Sequence, residues 1–374
     1  MKTLYIISGG MGKPSDKTII ELEKQNKHPR VSYLEDMLKA DLLDERYLYG
    51  KTNGLKQWIY KRIPVEIAQV FEAVLLRKKY DVIFSQTERT SLILALAMKY
   101  LRINIPHVMV VSRITSMYKN KSKKKMWMLK HGQSKITRIL IWSSVQRNIA
   151  IQQLGIPPEK IKLLKRGTDQ KFWSPIPSPT DTICSVGMEM RDYPTLVEAL
   201  RPLDIPCHIA VSSVRGELFD TVQRVYEMDK IPDHISVGRK GYVDLRELYA
   251  RSRFVVVPLL PTDSDNGLTS ILEAMAMGKA VICTRSQGQV DVIQEGVTGI
   301  FVPQGDPEAL RHEIIKLWND PERAAEMGKA ARKYVEEHHS LEQFSNSIQR
   351  EVRNSAGIRE FRNGSPVKPV EVNV

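Results

Sequence analysis

Short runs of β-branched residues alternate with longer amphipathic stretches along most of this 374-residue chain. The alternation is typical of parallel β-strands joined by crossover helices, because parallel neighbours need a long connection between them. Strands are predicted at Thr3–Ser8, Val82–Ser85, Val108–Val111, Ile139–Ser143, Thr182–Val186, His208–Val211, Phe254–Val257, Ala280–Cys283 and Gly299–Val302. Helices are predicted at Pro64–Lys78, Thr195–Leu203, Leu268–Met277, Pro307–Trp318 and Pro321–Glu337. The chain is therefore expected to have an α/β fold.

A proline-rich segment divides the chain into two halves. Lys171–Thr180 reads Lys-Phe-Trp-Ser-Pro-Ile-Pro-Ser-Pro-Thr, which predicts a stiff, extended linker outside both hydrophobic cores. At about 150 residues per domain, the length also suggests two domains. We therefore expect a first domain at 1–173 and a second domain at 174–340. The remaining 341–374 is expected to hold a helix, which packs back on the first domain, and a tail.

The composition excludes several classes of protein. An apolar fraction of 42% and a charged fraction of 26% are ordinary for a globular protein, so wholesale disorder is excluded. The three cysteines (Cys184, Cys207 and Cys283) are odd in number and widely spaced, which fits neither a disulfide framework nor a metal site. No apolar run approaches the ~20 residues that span a bilayer, and the first apolar stretch is too short for a signal peptide. A cytoplasmic location is expected.

The formal net charge of +13 comes from one segment. From Arg89 to Pro158, 70 residues contain 13 Lys or Arg and neither Asp nor Glu, so this segment accounts for the whole excess. A locally basic protein points to one anionic partner at one surface.

The densest part of the basic segment is Met117–Lys130, where Tyr118 and the run Met126–Leu129 lie among the lysines. Cations around an apolar wedge favour an anionic membrane surface, while a solvated loop is the simpler alternative. Nucleic acid is disfavoured because few stacking residues are interleaved with the charges. The predicted membrane-surface residues are Lys121, Lys123, Lys124, Lys125, Trp127 and Lys130.

The segment Thr262–Cys283 is the most informative for chemistry, and it reads as a loop, then a helix, then a strand. The apolar stripe of this helix is formed by Leu268, Ile271, Leu272 and Met275. Asp265 and Asn266 are residue types that cap a helix, and Gly267 allows a ligand to approach the backbone. The free N–H groups of a helix N-terminus suit a diphosphate, and Glu273, off the stripe, could accept hydrogen bonds from ribose hydroxyls.

This segment resembles the donor-binding motif of retaining GT-B glycosyltransferases of the GT4 family (glycosyl transferases group 1). In that motif two acidic residues flank seven others before a Glu-Ala-Met-Ala helix. Asp265 and Glu273 stand at this spacing, with Asp in place of the usual first Glu. Further pieces that resemble the family in the same order are Gly9–Gly12, Lys165–Asp169 with Phe172 and Pro175, Ser185–Gly187, Arg191–Leu196, Gln287–Asp291, Gly296–Gly299, Val302–Pro303 and Asp306–Pro307.

The resemblance implies a GT-B architecture, in which two Rossmann-like doubly wound domains face a cleft and the second domain holds most of the donor. It implies transfer of a sugar from a nucleotide diphosphate sugar with retention, without a strong general base. By the same resemblance, Asp265 would hold sugar hydroxyls, Glu273 the ribose and Arg191 the phosphates. The implied donor-binding residues are Gly10, Gly12, Gly187, Arg191, Asn266, Gly267, Leu268, Thr269 and Glu273.

The chain departs from the family pattern at two positions. Met188 follows Gly187 where the family usually has an Arg, so a phosphate cation is missing or is supplied elsewhere, with Arg239 and Lys240 as candidates. After the strand Val108–Val111, many members place a His in the catalytic site, whereas this chain has Ser112 and Arg113. The candidate acceptor-side or auxiliary residues are therefore Glu88, Ser112 and Arg113.

A metal site is the alternative interpretation of Asp263-Ser264-Asp265, because Asp-x-Asp is a metal-binding signature of the other large glycosyltransferase architecture. Such a tripeptide is common by chance, and here it precedes a helix. We therefore expect no metal and no other cofactor. His338-His339, beside Glu336-Glu337, is interpreted as a solvated helix end rather than a ligand pair.

Taken together, these features predict transfer from a UDP- or GDP-sugar to a lipid-linked or membrane-presented acceptor in cell-envelope glycan or glycolipid assembly. The protein would be a monomer or weak dimer, located peripherally at the inner face of the plasma membrane, with no nucleic-acid partner. Two alternatives remain. One is a soluble transferase for a storage or compatible-solute sugar, and the other is a catalytically silent binding protein of the same fold.

Overall fold

The computed structural model describes residues 1–8, 16–111, 114, 122–211, 227–228, 230–262, 264–288 and 291–357. The predicted site residues that lie outside these described residues are Gly10, Gly12, Ser112, Arg113, Lys121 and Asp263. Within the described residues, no helix is long and apolar enough to cross a membrane.

The first half of the chain forms a six-stranded parallel sheet. Its strands are β1 (Thr3–Ile6), β2 (Ala40–Leu43), β3 (Val82–Ser85), β4 (His107–Val110), β5 (Arg138–Ile141) and β6 (Ile161–Leu163). Their order across the sheet is β2-β1-β3-β4-β5-β6, and every neighbouring pair is parallel. The strand order changes direction between β1 and β3, which is the kind of position where doubly wound sheets bind ligands.

The second half forms another six-stranded parallel sheet. Its strands are β7 (Thr182–Val186), β8 (Cys207–Ala210), β9 (Ile235–Gly238), β10 (Ser252–Val257), β11 (Ala280–Thr284) and β12 (Gly299–Val302). Their order, β12-β11-β10-β7-β8-β9, is that of a Rossmann dinucleotide-binding sheet, with the switch point between β7 and β10. The predicted α/β fold of two doubly wound domains is confirmed.

Helices cover both sheets. In the first half they are α1 (Asp16–Lys24), α2 (Tyr33–Leu38), α3 (Gly54–Tyr60), α4 (Val65–Leu76), α5 (Glu88–Tyr100), α6 (Lys123–Gly132) and α7 (Ser144–Gln152). In the second half they are α8 (Tyr193–Leu200), α9 (Tyr242–Arg251), α10 (Leu268–Ala276), α11 (Pro307–Asn319), α12 (Pro321–His338) and α13 (Leu341–Ser355). Apolar strand residues are buried on both faces of each sheet, as parallel sheets require.

Three strands were not predicted from the sequence, and each lies at an edge of its sheet. These strands are β2, β6 and β9. Only one residue in each is fully buried, because an edge strand has a neighbour on one side and packs incompletely. Their composition therefore lacks the continuous apolar run that identifies a central parallel strand.

The proline-rich segment does not lie outside both cores, so that prediction is wrong for its first residues. Phe172 and Trp173 are almost completely buried in the apolar cluster of the second domain. The Trp173 ring contacts the Tyr249 ring at a centroid distance of 5.6 Å, and Phe172 lies 6.3 Å from Tyr242. The two aromatic residues therefore anchor the start of the linker to the second domain.

The last helix contacts the first sheet. Ile348 and Val352 of α13 share an apolar cluster with Tyr5, Val108 and Leu140. This contact means that the chain crosses between its two halves twice, once before the linker and once before α13.

The two crossings bond to each other, and this corrects one prediction. The Thr168 N–H donates to the His339 carbonyl at 2.9 Å, and His339 Nδ1 lies 2.7 Å from the Arg166 carbonyl. His338 is exposed, but His339 is buried, so it is not part of a solvated helix end. Burial also lowers the pKa of His339.

Candidate functional site

The loops that follow β7 and β10 lie side by side at the switch point of the second sheet, and the region that they border is termed here the crevice. The two loops pair with each other, since Asp192 N–H donates to the Pro258 carbonyl at 3.1 Å and Leu260 N–H donates to the Met190 carbonyl at 3.0 Å. Arg191 and Leu259 form an antiparallel bridge between these contacts. Ligands of open α/β sheets bind at such positions, outside the carboxyl ends of the strands.

Arg191 lies at the bottom of this crevice, only 4% exposed. Its Nε donates to the Val186 carbonyl at 3.0 Å, its Nη1 to the Glu189 carbonyl at 2.8 Å and its Nη2 to Ser270 Oγ at 3.1 Å. A guanidinium carries five N–H groups, so two remain after these three bonds. Arg191 thus braces the loop after β7 against helix α10 and keeps a positive charge beside the start of that helix.

Gly187 is required by the position of that guanidinium. Its backbone has a φ of +116°, which side chains rarely adopt, and a Cβ added there would lie 2.8 Å from Arg191 Cζ. The glycine therefore allows the loop to fold over the arginine.

Helix α10 begins at the crevice with Gly267, whose φ is +89°. A side chain there would be strained and would also lie 3.1 Å from Val257 Cγ1. The amide of Leu268 donates to the Asp265 carbonyl at 3.2 Å, and Thr269 is exposed at the first turn. The sequence correctly places a helix start here, and the helix dipole makes it favourable for an anion.

The loop before α10 is held by its own side chains. Asn266 Oδ1 accepts hydrogen bonds from Thr262 Oγ1 at 2.6 Å and from Ser264 Oγ at 2.5 Å. Gly288, from the loop after β11, packs so closely that an added Cβ would lie 1.8 Å from the Ser264 carbonyl oxygen. The loops after β10 and β11 therefore support each other.

Glu273 lies about one turn further along α10 and is 9% exposed. The Tyr249 hydroxyl donates to its Oε2 at 3.2 Å. Burial raises the pKa of Glu273 to about 8, against the lowering effects of the Tyr249 hydrogen bond and of the charges of Arg166 and Arg191. Carboxyl groups with a shifted pKa in a cleft are typical of functional sites, because packing of a hydrophobic core does not require a carboxyl group.

Asp265 connects the crevice to the first half of the chain. Its Oδ2 lies 3.9 Å from Nη1 of Arg166, which belongs to the crossing after β6. Arg166 is also the larger of the two arginine charges that act on the pKa of Glu273. The sequence did not single out Arg166, because almost a hundred residues separate it from Asp265 and only the fold brings them together.

The two halves meet again at the start of α7. The backbone amide of Ser144 donates to Asp291 Oδ2 at 2.9 Å, and its hydroxyl donates to Oδ1 at 2.8 Å. Asp291 thus caps a helix of the other domain. A further contact between the halves joins the His28 and Tyr242 rings, whose centroids lie 4.5 Å apart.

Met188 carries no charge and so supplies no cation to the crevice. Its side chain is buried in the apolar cluster beneath α8 and therefore has little access to the crevice. The suggested replacements, Arg239 and Lys240, follow β9, which lies two strands from β7 and thus about 10 Å away. Arg166, in contrast, lies 3.9 Å from Asp265 in the loop before α10.

Glu88, the described acceptor-side candidate, is the first residue of α5 rather than a loop residue. Its Oε1 lies 2.9 Å from Lys125 Nζ, so one of the predicted membrane-surface lysines is paired with it.

The membrane-surface prediction is otherwise mixed. Lys123, Lys124, Trp127 and Lys130 are exposed on α6. The predicted apolar wedge is wrong in part, because Met128 and Leu129 belong to the core of the first domain. They were misassigned because an amphipathic helix places buried and exposed residues next to each other in sequence.

Within the described ranges, no group of three or more His, Cys, Asp or Glu residues could hold a metal ion. The three cysteines are free and buried. Burial raises the pKa of Cys184 to about 12, which leaves its thiol protonated.

Comparison with known proteins shows which proteins the second half of the chain resembles. Residues 189–334 match the family model described as Glycosyl transferases group 1. N-acetyl-alpha-D-glucosaminyl L-malate synthase of Bacillus anthracis is 34% identical over 130 residues, which are 34% of this chain and 33% of that protein. A GDP-mannose-dependent alpha-(1-6)-phosphatidylinositol monomannoside mannosyltransferase of Mycolicibacterium smegmatis is 31% identical over 127 residues, which are 32% of this chain and 33% of that protein. In the curated relatives, the matched segments span about one fifth to one half of the relative's length.

Solved structures extend the likeness to both domains. Anabaena Alr3699/HepE in complex with UDP-glucose superposes with a TM-score of 0.69 at 17% identity, covering 96% of this chain and 99% of that one. At this identity the match shows the fold alone. The matches together show two Rossmann-like domains and a second half that resembles glycosyltransferases, and the family model falls on the half that contains the crevice.

Proposed function

We propose that this protein is a retaining glycosyltransferase of the GT4 type that moves a sugar from a UDP- or GDP-sugar to a membrane-presented acceptor, in cell-envelope glycan or glycolipid assembly. The observation that carries the proposal is the crevice itself. Arg191, the N-terminus of α10 and the buried Glu273 surround one end of the second sheet at its switch point.

The residues of the crevice can divide the work of donor binding. The diphosphate would lie at the first turn of α10, where backbone amides and the two remaining N–H groups of Arg191 offer hydrogen bonds. Asp265 would hold hydroxyls of the transferred sugar, and Glu273 would hold hydroxyls of the ribose. Because the leaving diphosphate gains charge as the anomeric bond breaks, fixed donors and cations aimed at it lower the barrier. No metal ion is needed for this arrangement.

The acceptor side of the proposal rests on the basic first domain. The lysines and Trp127 of α6 lie on its surface, and its basic segment contains the whole excess charge of the chain. A relative whose name includes a phosphatidylinositol acceptor agrees with a lipid-linked substrate. Together these features favour an acceptor presented by an anionic membrane, with the protein at the cytoplasmic face.

A soluble acceptor is the second candidate. The matched Bacillus anthracis enzyme is named as an L-malate synthase, so a small polar acceptor is compatible with a second domain of this kind. This candidate predicts full activity without vesicles. A catalytically silent binding protein would instead bind a nucleotide sugar without turning it over.

A thermal-shift screen with UDP, GDP and ADP and their sugars tests the donor assignment, because a ligand that binds the native state raises its melting temperature. We expect a UDP- or GDP-sugar to give the largest shift and EDTA to leave it unchanged. Transfer to acceptors in a lipid extract would then be followed by NMR, and an inverted anomeric centre in the product would contradict retention. No shift with any nucleotide sugar would contradict the proposed function.

A further inference from the structure

Two neighbouring helices of the first domain expose a set of large apolar side chains. The set, termed here the α3–α4 ridge, consists of Leu55, Trp58, Ile59, Ile67, Phe71 and Leu75. Each is between 41% and 71% exposed, and all six lie within 21 residues of the chain. Single exposed apolar residues are ordinary, whereas a cluster of this size marks an interaction surface.

The packing of α4 shows that the ridge lies outside the core of the first domain. Its inner face buries Ala68, Gln69, Glu72 and Ala73. The ridge residues of α4 follow a spacing of four and form a line on the opposite face. Since the three exposed residues on the outer face are all large and apolar, that face is available to a second apolar environment.

The two helices contact each other. The Phe71 ring lies 6.4 Å from the Tyr60 ring, and Lys56 Nζ lies 3.0 Å from Glu72 Oε2. The Arg62 guanidinium stacks over the Trp58 ring at 4.0 Å. The ridge therefore has an aromatic residue at its edge with a cation directly on it.

Positive charge surrounds the ridge. The basic residues between positions 51 and 79 are Lys51, Lys56, Lys61, Arg62, Arg77, Lys78 and Lys79. The acidic residues of the same stretch, Glu66 and Glu72, are already paired with Arg89 at 3.1 Å and with Lys56. An apolar surface in a basic frame suits an anionic bilayer, and it opposes a second copy of the chain, because two such surfaces repel each other.

The ridge lies on the same layer of the first domain as the exposed lysines of α6. Helix α5 packs against both α4 and α6, so the three helices cover one face of the first sheet. Helix α13 packs on the opposite face.

We propose that the α3–α4 ridge inserts into an anionic lipid leaflet, while the surrounding lysines and arginines contact the lipid phosphates. Apolar side chains at the headgroup boundary and cations near anionic lipid both contribute to such binding. The ridge has no assigned role in donor binding, and the proposal rests on the proposed function only for the acceptor that the membrane presents.

The orientation of α4 fits this role. The Gln69 amide donates to the Ile7 carbonyl at 2.8 Å and to the Leu43 carbonyl at 3.0 Å, beyond the carboxyl ends of β1 and β2. The N-terminal end of α4, which carries Ile67 of the ridge, therefore lies near the carboxyl edge of the first sheet. A lipid-linked acceptor could reach the cleft over this end.

The test measures binding of the full chain to sucrose-loaded vesicles by co-sedimentation, with phosphatidylcholine alone or with phosphatidylglycerol added. A ridge variant, Trp58→Ser with Phe71→Ser and Leu75→Ser, should bind the anionic vesicles at least tenfold more weakly, which is about 1.4 kcal/mol. All three side chains are exposed, so the melting temperature should stay that of the wild type. The matched control replaces three exposed apolar residues of the second domain, Ile176→Ser, Val297→Ser and Ile315→Ser, and should bind like the wild type.

Two results would overturn the proposal. One is a ridge variant that binds anionic vesicles as tightly as the wild type. The other is a vesicle-free dimer, seen by sedimentation equilibrium, that the ridge variant alone loses, because this would make the ridge an interface between two copies. Thermal shifts with UDP-glucose and GDP-mannose separate this proposal from the proposed function. If vesicle binding depends on the ridge but no nucleotide sugar raises the melting temperature, the proposed function is wrong and the membrane-surface proposal stands. If a nucleotide sugar raises the melting temperature but vesicle binding does not depend on the ridge, only the membrane-surface proposal is wrong.

Discussion

Two regions of the molecule differ in their surface chemistry although both lie on parallel sheets. One is the crevice of the second domain, and the other is the outer helical layer of the first domain, formed by α3 to α6. The crevice buries its charged groups, since Arg191 and Glu273 are 4% and 9% exposed and bond to backbone, Ser270 and Tyr249. The outer layer exposes both its apolar ridge and its cations. Buried, fully positioned polar groups suit recognition of one small molecule, whereas an exposed apolar and basic surface suits a large, fluid partner.

The same contrast appears in the comparisons. The family model covers residues 189–334, the half that contains the crevice, while the first half resembles known proteins through its fold. The proposed donor site thus lies in the half that the family model matches, and the proposed membrane surface lies in the half that is matched here by fold. Changes in the crevice should therefore affect donor use, and changes in the outer layer should affect membrane contact alone.

The largest expected effect comes from Glu273→Ala, which removes the carboxyl proposed to hold the ribose. We expect kcat/KM for transfer to fall at least about a hundredfold, or about 2.7 kcal/mol of transition-state stabilisation. Glu326→Ala, on an exposed position of α12, is the matched control and should keep wild-type kinetics. Unchanged kinetics of the Glu273 variant would show that the donor lies elsewhere.

The charge of the outer layer is tested by Lys123→Glu with Lys124→Glu. At about 1 kcal/mol per lysine near an anionic surface, vesicle binding should weaken about thirtyfold. Lys125 is left unchanged because it is paired with Glu88. Donor-induced thermal shifts should stay the same in this variant, and loss of both properties together would contradict the separation of the two regions.

The residue that connects the two regions is Arg166, and Arg166→Ala should weaken donor binding about tenfold, which is about 1.4 kcal/mol. The reason is that Arg166 lies beside Asp265 and acts on Glu273, where it can supply the positive charge that Met188 does not. Arg166→Lys should recover part of the affinity, measured by calorimetric titration with the donor. Arg239→Ala is the control, and a larger effect there than at Arg166 would reverse the assignment.

How far the sequence predicts this molecule depends on how local the relevant pattern is. Val82–Ser85 and Thr182–Val186 are predicted with their correct bounds, because a central parallel strand is a continuous apolar run. The start of α10 is predicted as well, from Gly267 and its polar neighbours. The edge strands β2, β6 and β9 are not predicted, and neither is the burial of Trp173, since both depend on what packs against them.

The candidate site likewise contains residues that a local sequence pattern predicts and a residue that it does not. Asp265 and Glu273 follow from a spacing within one segment, so a resemblance is enough to single them out. Arg166 lies in another part of the chain, and only the crossing between the two halves brings it to Asp265. The raised pKa of Glu273 likewise depends on the packing of α9 and α10 and not on its sequence neighbours.

The smallest expected effect concerns stability, and it tests how deeply Glu273 is buried in the absence of donor. Because its pKa is raised from 4.5 to about 8 in the folded protein, the folded state keeps a proton that the unfolded state has already lost between these values. Unfolding therefore releases a proton in this window, and the free energy of unfolding should fall as the pH rises from about 5 to 8 and then level off. Glu273→Gln cannot ionise, so it should gain stability relative to the wild type at pH 9 and lose this advantage towards pH 5.

Urea denaturation of both proteins across this pH range, with Glu326→Gln as the control, isolates the contribution of this one carboxyl group. Other titrating groups are common to all three proteins and cancel in the differences. Parallel curves for wild type and Glu273→Gln would mean that Glu273 is already ionised in the folded protein. In that case the crevice would be open to water, and the contrast between a closed donor site and an exposed membrane surface would no longer hold.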